Sequence, residues 1–141
     1  MKILKCLPVL MVLMVVSCVA QKSKINYDEI IYSASTRGVN IEIKVKDGTL
    51  TYKNNDEEEI IELSSNDKKD LYNKISALHL GEMKNLKAPS EKRITDAALH
   101  GEMLVKFNGE EFKSSPFDYG NAPKELKPLE IVLFRIAKIE E

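Results

Sequence analysis

The residues with the most chemical potential in this chain fall into three clusters. Ser33, Ser35, Arg37 and Gly38 form the first, Arg93 and Asp96 the second, and Ser115, Phe117, Asp118, Tyr119 and Gly120 the third. Arginine presents a planar fork of donors that meets a carboxylate at two points, so Arg37 or Arg93 facing Asp96 or Asp118 is a natural pairing. Two readings of such pairs are open. In one, they clamp loops onto a sheet while Gly38 and Gly120 supply unusual φ values. In the other, an arginine is left open to a ligand anion and hydroxyls from Ser33, Ser35 or Tyr119 complete its shell. That second arrangement would make a small anionic-ligand binder or a weak hydrolase.

Other catalytic patterns are thin. His79 falls at a helix end, where a donor meets unpaired carbonyls, and His100 falls inside a strand as a sheet-face residue. Ser115, His100 and Asp118 are the right types for a hydrolytic triad, yet no nucleophile elbow frames the serine. HExxH, a histidine pair at i, i+4 and an acidic loop of calcium-binding spacing are all missing from the sequence, so no metal or cofactor is expected. The run Asp56-Glu57-Glu58-Glu59 reads as a solvated loop. Without a convincing catalytic set, the expectation is a protein that is not an enzyme.

Periodicity supplies the elements that must hold these clusters. Ile30, Ile31 and Tyr32 mark a strand over residues 27–35, broken by Thr36-Arg37-Gly38. Val39, Ile41, Ile43 and Val45 alternate with polar residues, the mark of a strand with one buried and one wet face. Asp47-Gly48 predicts a tight hairpin into a strand at 49–53, because both central positions of such a turn favour positive φ. A further strand at 59–63 completes an antiparallel meander. Ser64 or Ser65 as N-cap, Asp67 in the first turn and the stripe Leu71, Ile75, Leu78 predict a helix over 66–79 that stops at Gly81. Leu80, Met83 and Leu86 read as an irregular stretch over a sheet edge, and residues 88–97 as a loop.

Alternation resumes through Leu99, Gly101, Met103, Val105 and Phe107. Asn108-Gly109 is a strong hairpin signal into a strand at 110–114. A breaker-rich loop over 115–123 follows, and then a last helix that starts at Lys124 or Pro128 and ends near Ile139, with Leu126, Leu129, Leu133 and Ile136 on one face. The expected fold is therefore α+β: an antiparallel sheet of about six strands in the order ββββ-α-ββ-α, with both helices on one face.

An address precedes this domain. Lys2 and Lys5 lead a short apolar run, Leu7 to Val16, which ends at Ser17-Cys18. The run is too short to span a bilayer, which needs about 20 apolar residues. It resembles the bacterial lipobox, which implies lipid on the Cys18 thiol and removal of residues 1–17. Residues 18–26 then read as a lipidated tether and 27–141 as a single domain. Removing Lys2 and Lys5 from the 21 basic residues leaves 19 against 22 acidic ones. No basic stripe suits nucleic acid, and no polybasic cluster adds a second membrane anchor. Cys6 leaves with the signal and Cys18 carries lipid, which excludes a disulfide, cysteine catalysis and thiolate metal sites.

Taken with the lipobox, the segments Tyr32-Ser33-Ala34-Ser35-Thr36-Arg37-Gly38, residues 86–97 and Ser115-Pro116-Phe117-Asp118-Tyr119-Gly120 make the chain similar to a group of small uncharacterised lipoproteins of Bacteroidota-type bacteria. The resemblance covers nearly all of the mature chain. It implies a common fold and a place in the bacterial cell envelope, and carries no activity. The tether lacks an acidic pair after Cys18, which favours the outer membrane, facing the periplasm. The expected role is that of a binding or accessory module for an envelope partner.

Overall fold

The structure, a computed structural model, describes residues 27–140. The signal at 1–17, Cys18 and the tether lie outside the described residues. Seven strands and two helices follow one another along the chain. They are β1 (Glu29–Thr36), β2 (Val39–Lys46), β3 (Thr49–Asn54), β4 (Glu57–Glu62), α1 (Ser65–Ser76), β5 (His100–Phe107), β6 (Glu110–Lys113), β7 (Phe117–Asp118) and α2 (Lys127–Ile136). Two 3-10 segments, Leu80–Asn85 and Lys92–Thr95, lie between α1 and β5. The α+β class expected from the sequence is the class observed.

All strand pairs are antiparallel, and the sheet order is β4-β3-β2-β1-β5-β6 with β7 also on β5. The first strand is thus central. The meander β1 to β4 grows away on one side, and β5 returns after α1 to pair with the open edge of β1. Ile30, Tyr32 and Ala34 on β1, Ile43 and Val45 on β2, and Met103 and Val105 on β5 are at most 1% exposed. These alternate residues line the inner face of the sheet. The other face is charged, with Lys53 to Glu58 at 2.9 Å, Lys113 to Glu102 at 2.9 Å and Lys106 to Glu29 at 3.0 Å. Leu71 and Ile75 of α1 and Leu129, Leu133 and Phe134 of α2 join the same core as the inner strand residues. Only one face of the sheet is apolar, so both helices cover it.

Turn and cap chemistry explains the local boundaries. Asp47 and Gly48 take φ of 50° and 82°, and Asn108 and Gly109 take 51° and 79°, both turns having two left-handed central residues. Ser64 caps α1: its hydroxyl accepts the Asp67 N–H at 3.1 Å while the Asp67 carboxylate accepts the Ser64 N–H at 3.2 Å. The helix stops at Ser76, short of the expected His79, because the chain turns into the 3-10 segment that packs on β6. Met83 there is 1% exposed, and Ser115 donates its hydroxyl to the Lys84 carbonyl at 2.6 Å. The second helix starts at Lys127, since Pro128 is suited to the first turn. Lys68 of α1 lies over Gly48 in the β2–β3 turn, while Ile75 and Leu78 share a groove with Phe107 and Phe112. The first helix therefore crosses the end of the sheet where β1 begins, and α2 covers the end where β1 finishes.

Candidate functional site

Of the pairings open to the four charged residues, the fold makes one. The Arg93 guanidinium lies 3.2 Å from Asp118, with the two side chains 12% and 2% exposed. Strand β7 brings Asp118 beside β5, its register opposite His100, and the second 3-10 segment brings its backbone to the carboxylate. Asp118 Oδ1 accepts the Arg93 N–H at 2.9 Å as well as the guanidinium, and Oδ2 accepts the Lys92 N–H at 2.9 Å and the Ser90 hydroxyl at 2.5 Å. Asn121 donates to the Ser90 hydroxyl at 2.7 Å, and Arg93 also donates to the Ser90 carbonyl at 2.8 Å. Burial alone would raise the pKa of Asp118, but the Ser90 hydroxyl, the two backbone N–H groups and Arg93 outweigh it. They hold the carboxyl well below the usual carboxylate range. A carboxylate with two donors on each oxygen fastens the loop before β5; it has no lone pair to spare for proton transfer.

A second buried carboxylate lies nearby that sequence reasoning did not single out. Glu130 of α2 is 0% exposed. Its Oε1 accepts the Tyr32 hydroxyl at 3.0 Å, and its Oε2 accepts the Lys127 ammonium at 3.0 Å and the Ala122 N–H at 3.2 Å. The Gly120 N–H donates to the Tyr32 oxygen at 3.2 Å, and its carbonyl accepts from Lys127 at 2.7 Å. The ring of contacts thereby ties β1, the 118–122 loop and α2 together. Burial first, and then the Glu130 charge, push the Tyr32 phenol far above its ordinary pKa. A signal for this network was present: residues 126, 130, 133 and 137 share one helix stripe, and Glu130 is its only charged member.

The remaining candidates are dispersed. Ser33 and Ser35 lie on the charged face of β1, in register with Glu42 and Asn40. Tyr119 instead packs against Tyr32 and Phe134 on the helix side, with ring centroids 6.1 and 5.3 Å apart, so it does not share a shell with the two serines. Arg37 is exposed in the β1–β2 turn beside Gly38 at φ 82°, and Asp96 is exposed at φ 55° after the second 3-10 segment. Neither forms an ion pair among the described residues. His79 immediately precedes the first 3-10 segment, without a side-chain capping hydrogen bond, and His100 is exposed on β5. Among the described residues, no cluster of three or more potential metal ligands occurs and no helix is long and apolar enough to cross a membrane.

An open groove of about 680 Å³ lies at the opposite end, between α1 and the β5–β6 hairpin, with Tyr27, Tyr72, Leu78, Leu80, Phe107 and Phe112 in its walls. Burial pushes the Tyr27 phenol up to about 12. The fold and these two regions define a small α+β domain with an internally neutralised polar end and an apolar one. No family model matches the chain, and neither does any curated protein or solved structure.

Proposed function

We propose that this is a lipid-anchored lipoprotein of the bacterial cell envelope, attached through Cys18 to the outer membrane and facing the periplasm, where it acts as a binding or accessory module for an envelope partner. The observation that carries this reading is the placement of the folded unit relative to Cys18. Tyr27, nine positions later, already belongs to the buried core, whose described members run to Ala137. The buried carboxylates Glu29, Asp118 and Glu130 are each held by internal donors, which favours recognition by surface over chemistry at these groups. The alternative, a small anionic-ligand binder or weak hydrolase on the Arg37, Arg93, Asp96 and Asp118 loops, has less support. Arg93 and Asp118 neutralise each other, and Arg37 and Asp96 sit on separate turns.

Intact mass and membrane fractionation of the chain expressed in a bacterial host test the anchor. The wild-type protein is expected to lose residues 1–17, carry acyl mass and sediment with membranes, and Cys18→Ala to do none of these. Wild-type protein without acyl mass would overturn the reading.

A further inference from the structure

We propose that the groove between α1 and the β5–β6 hairpin receives an acyl chain of a bilayer phospholipid, an inference that rests on the Cys18 anchor. The volume, about 680 Å³, is within the range of about 300–1,000 Å³ typical of small-molecule sites. Seven aromatic and aliphatic side chains wall it, and Glu110 is the one acid or base of full charge on its lining among the described residues. An aliphatic chain suits such walls because each methylene it buries leaves water. Tyr27 and Tyr72 have apolar bodies with polar tips, the character favoured at a membrane interface.

Chain geometry selects lipid as the occupant. Tyr27 is a wall of the groove and follows Cys18 by nine positions in the sequence. Nine residue steps separate Cys18 from Tyr27, which limits the separation to about 30 Å even at full extension. From that point β1 runs eight residues to the Arg37 turn, or about 27 Å at the rise of an extended strand. Lipid on Cys18 therefore keeps Tyr27 and the groove within about 30 Å of the anchor and allows the Arg37 and Asp118 end to stand farther off. A second opening, beside Pro128, Ile131 and Val132, carries four charged side chains on its lining, Asp70, Lys74, Lys124 and Lys127, where this groove carries one.

The test uses the mature full-length chain, which has no tryptophan of its own. Phe112→Trp puts a reporter in the groove and Arg37→Trp puts one at the far turn. Both proteins are reconstituted in phosphatidylethanolamine–phosphatidylglycerol vesicles doped with a phospholipid spin-labelled on its acyl chain. Fluorescence of the groove reporter is expected to be quenched several-fold more than that of the far one, and adding Tyr72→Glu, a change at an exposed helix position, is expected to abolish the difference. Equal quenching of the two reporters, or an unquenched groove reporter in membrane-bound protein, would overturn the proposal. So would protection of that reporter by a cross-linkable second copy or by the protein's own anchor. If intact mass shows no acyl group, the anchor reading fails by itself. Adding the same unlipidated variants to the vesicles then still decides the groove: selective quenching supports lipid entry, and its lack refutes it.

Discussion

The two ends of the sheet are held by different physics. Where β1 finishes, two buried carboxylates, Asp118 and Glu130, collect hydrogen bonds from four segments of the chain. Where β1 begins, α1 rests on the sheet through Leu71 and Ile75, with an apolar groove beside them. Apolar contact is non-directional and tolerates a change of shape. A buried carboxylate does not, because each donor left without it must be desolvated with no return. The polar end should thus be sensitive to single atoms and to acid, and the Leu71 and Ile75 packing at the apolar end to volume.

The largest effects test this contrast directly. Asp118→Ala and Leu71→Ala are each expected to cost about 3 kcal/mol in urea unfolding at neutral pH, the first through stranded donors and the second through a cavity. Acid should separate them. The folded pKa of Asp118 lies below the unfolded value of about 3.9. Its stabilisation is complete above that value, and falls with pH below it as the unfolded chain takes up a proton that the folded chain does not. The Asp118→Ala deficit should consequently shrink below about pH 4, while the Leu71→Ala deficit should persist. Equal pH dependence of the two would break the comparison.

Tyr32→Phe removes one oxygen and is expected to cost about 2 kcal/mol, since Glu130 loses a donor and the Gly120 N–H loses its acceptor. A loss well under that would show that the Glu130 ring is not cooperative. At alkaline pH the sign reverses from that of Asp118. Burial raises the Tyr27 pKa to about 12, so its contribution is intact below the unfolded value of about 10 and is lost as pH rises toward 12. Ultraviolet titration of Tyr27→Phe should lack that late phenolate component.

Gly101→Ala probes packing beside β7, at the end where β1 finishes. A Cβ there would lie 3.1 Å from the Phe117 ring and 3.3 Å from its carbonyl, and thermal unfolding should report a loss of about 1–2 kcal/mol. The smallest effect belongs to the charged face. Glu58→Gln, which breaks an exposed pair with Lys53, should change stability by less than about 1 kcal/mol, and less still in high salt.

Legibility followed sequence distance. Each strand with alternating apolar residues was readable, as were both left-handed hairpin turns and the Ser64–Asp67 cap, because the interacting groups lie within a few residues. The two-residue β7 was not, since Phe117 and Asp118 pair with β5 only through tertiary placement after Pro116. At the candidate site, the residue types identified Arg93 and Asp118 as partners among several pairings. They gave no means of choosing it over Arg37 with Asp96. Ser90, the Lys92 N–H and Asn121, which complete the clamp, are ordinary loop groups until the fold aims them at one carboxylate.

Periodicity, turn residues and capping are local properties, so the sequence by itself determined the α+β class, the hairpins, the inward faces of β2, β3 and β5 and the apolar stripe of each helix, whereas in β4 the loop expected at 56–59 is strand from Glu57 and Ile60 is exposed. Tertiary structure alone decided that β1 would be the central strand, because the open edge it offers is taken only when β5 returns after α1. It also joined Tyr32 to Glu130 across 98 positions and Asp118 to Ser90 across 28. The physical reason is shared: a buried polar group must be satisfied wherever the packed core leaves it, and which donor stands there depends on register and burial that no local preference encodes.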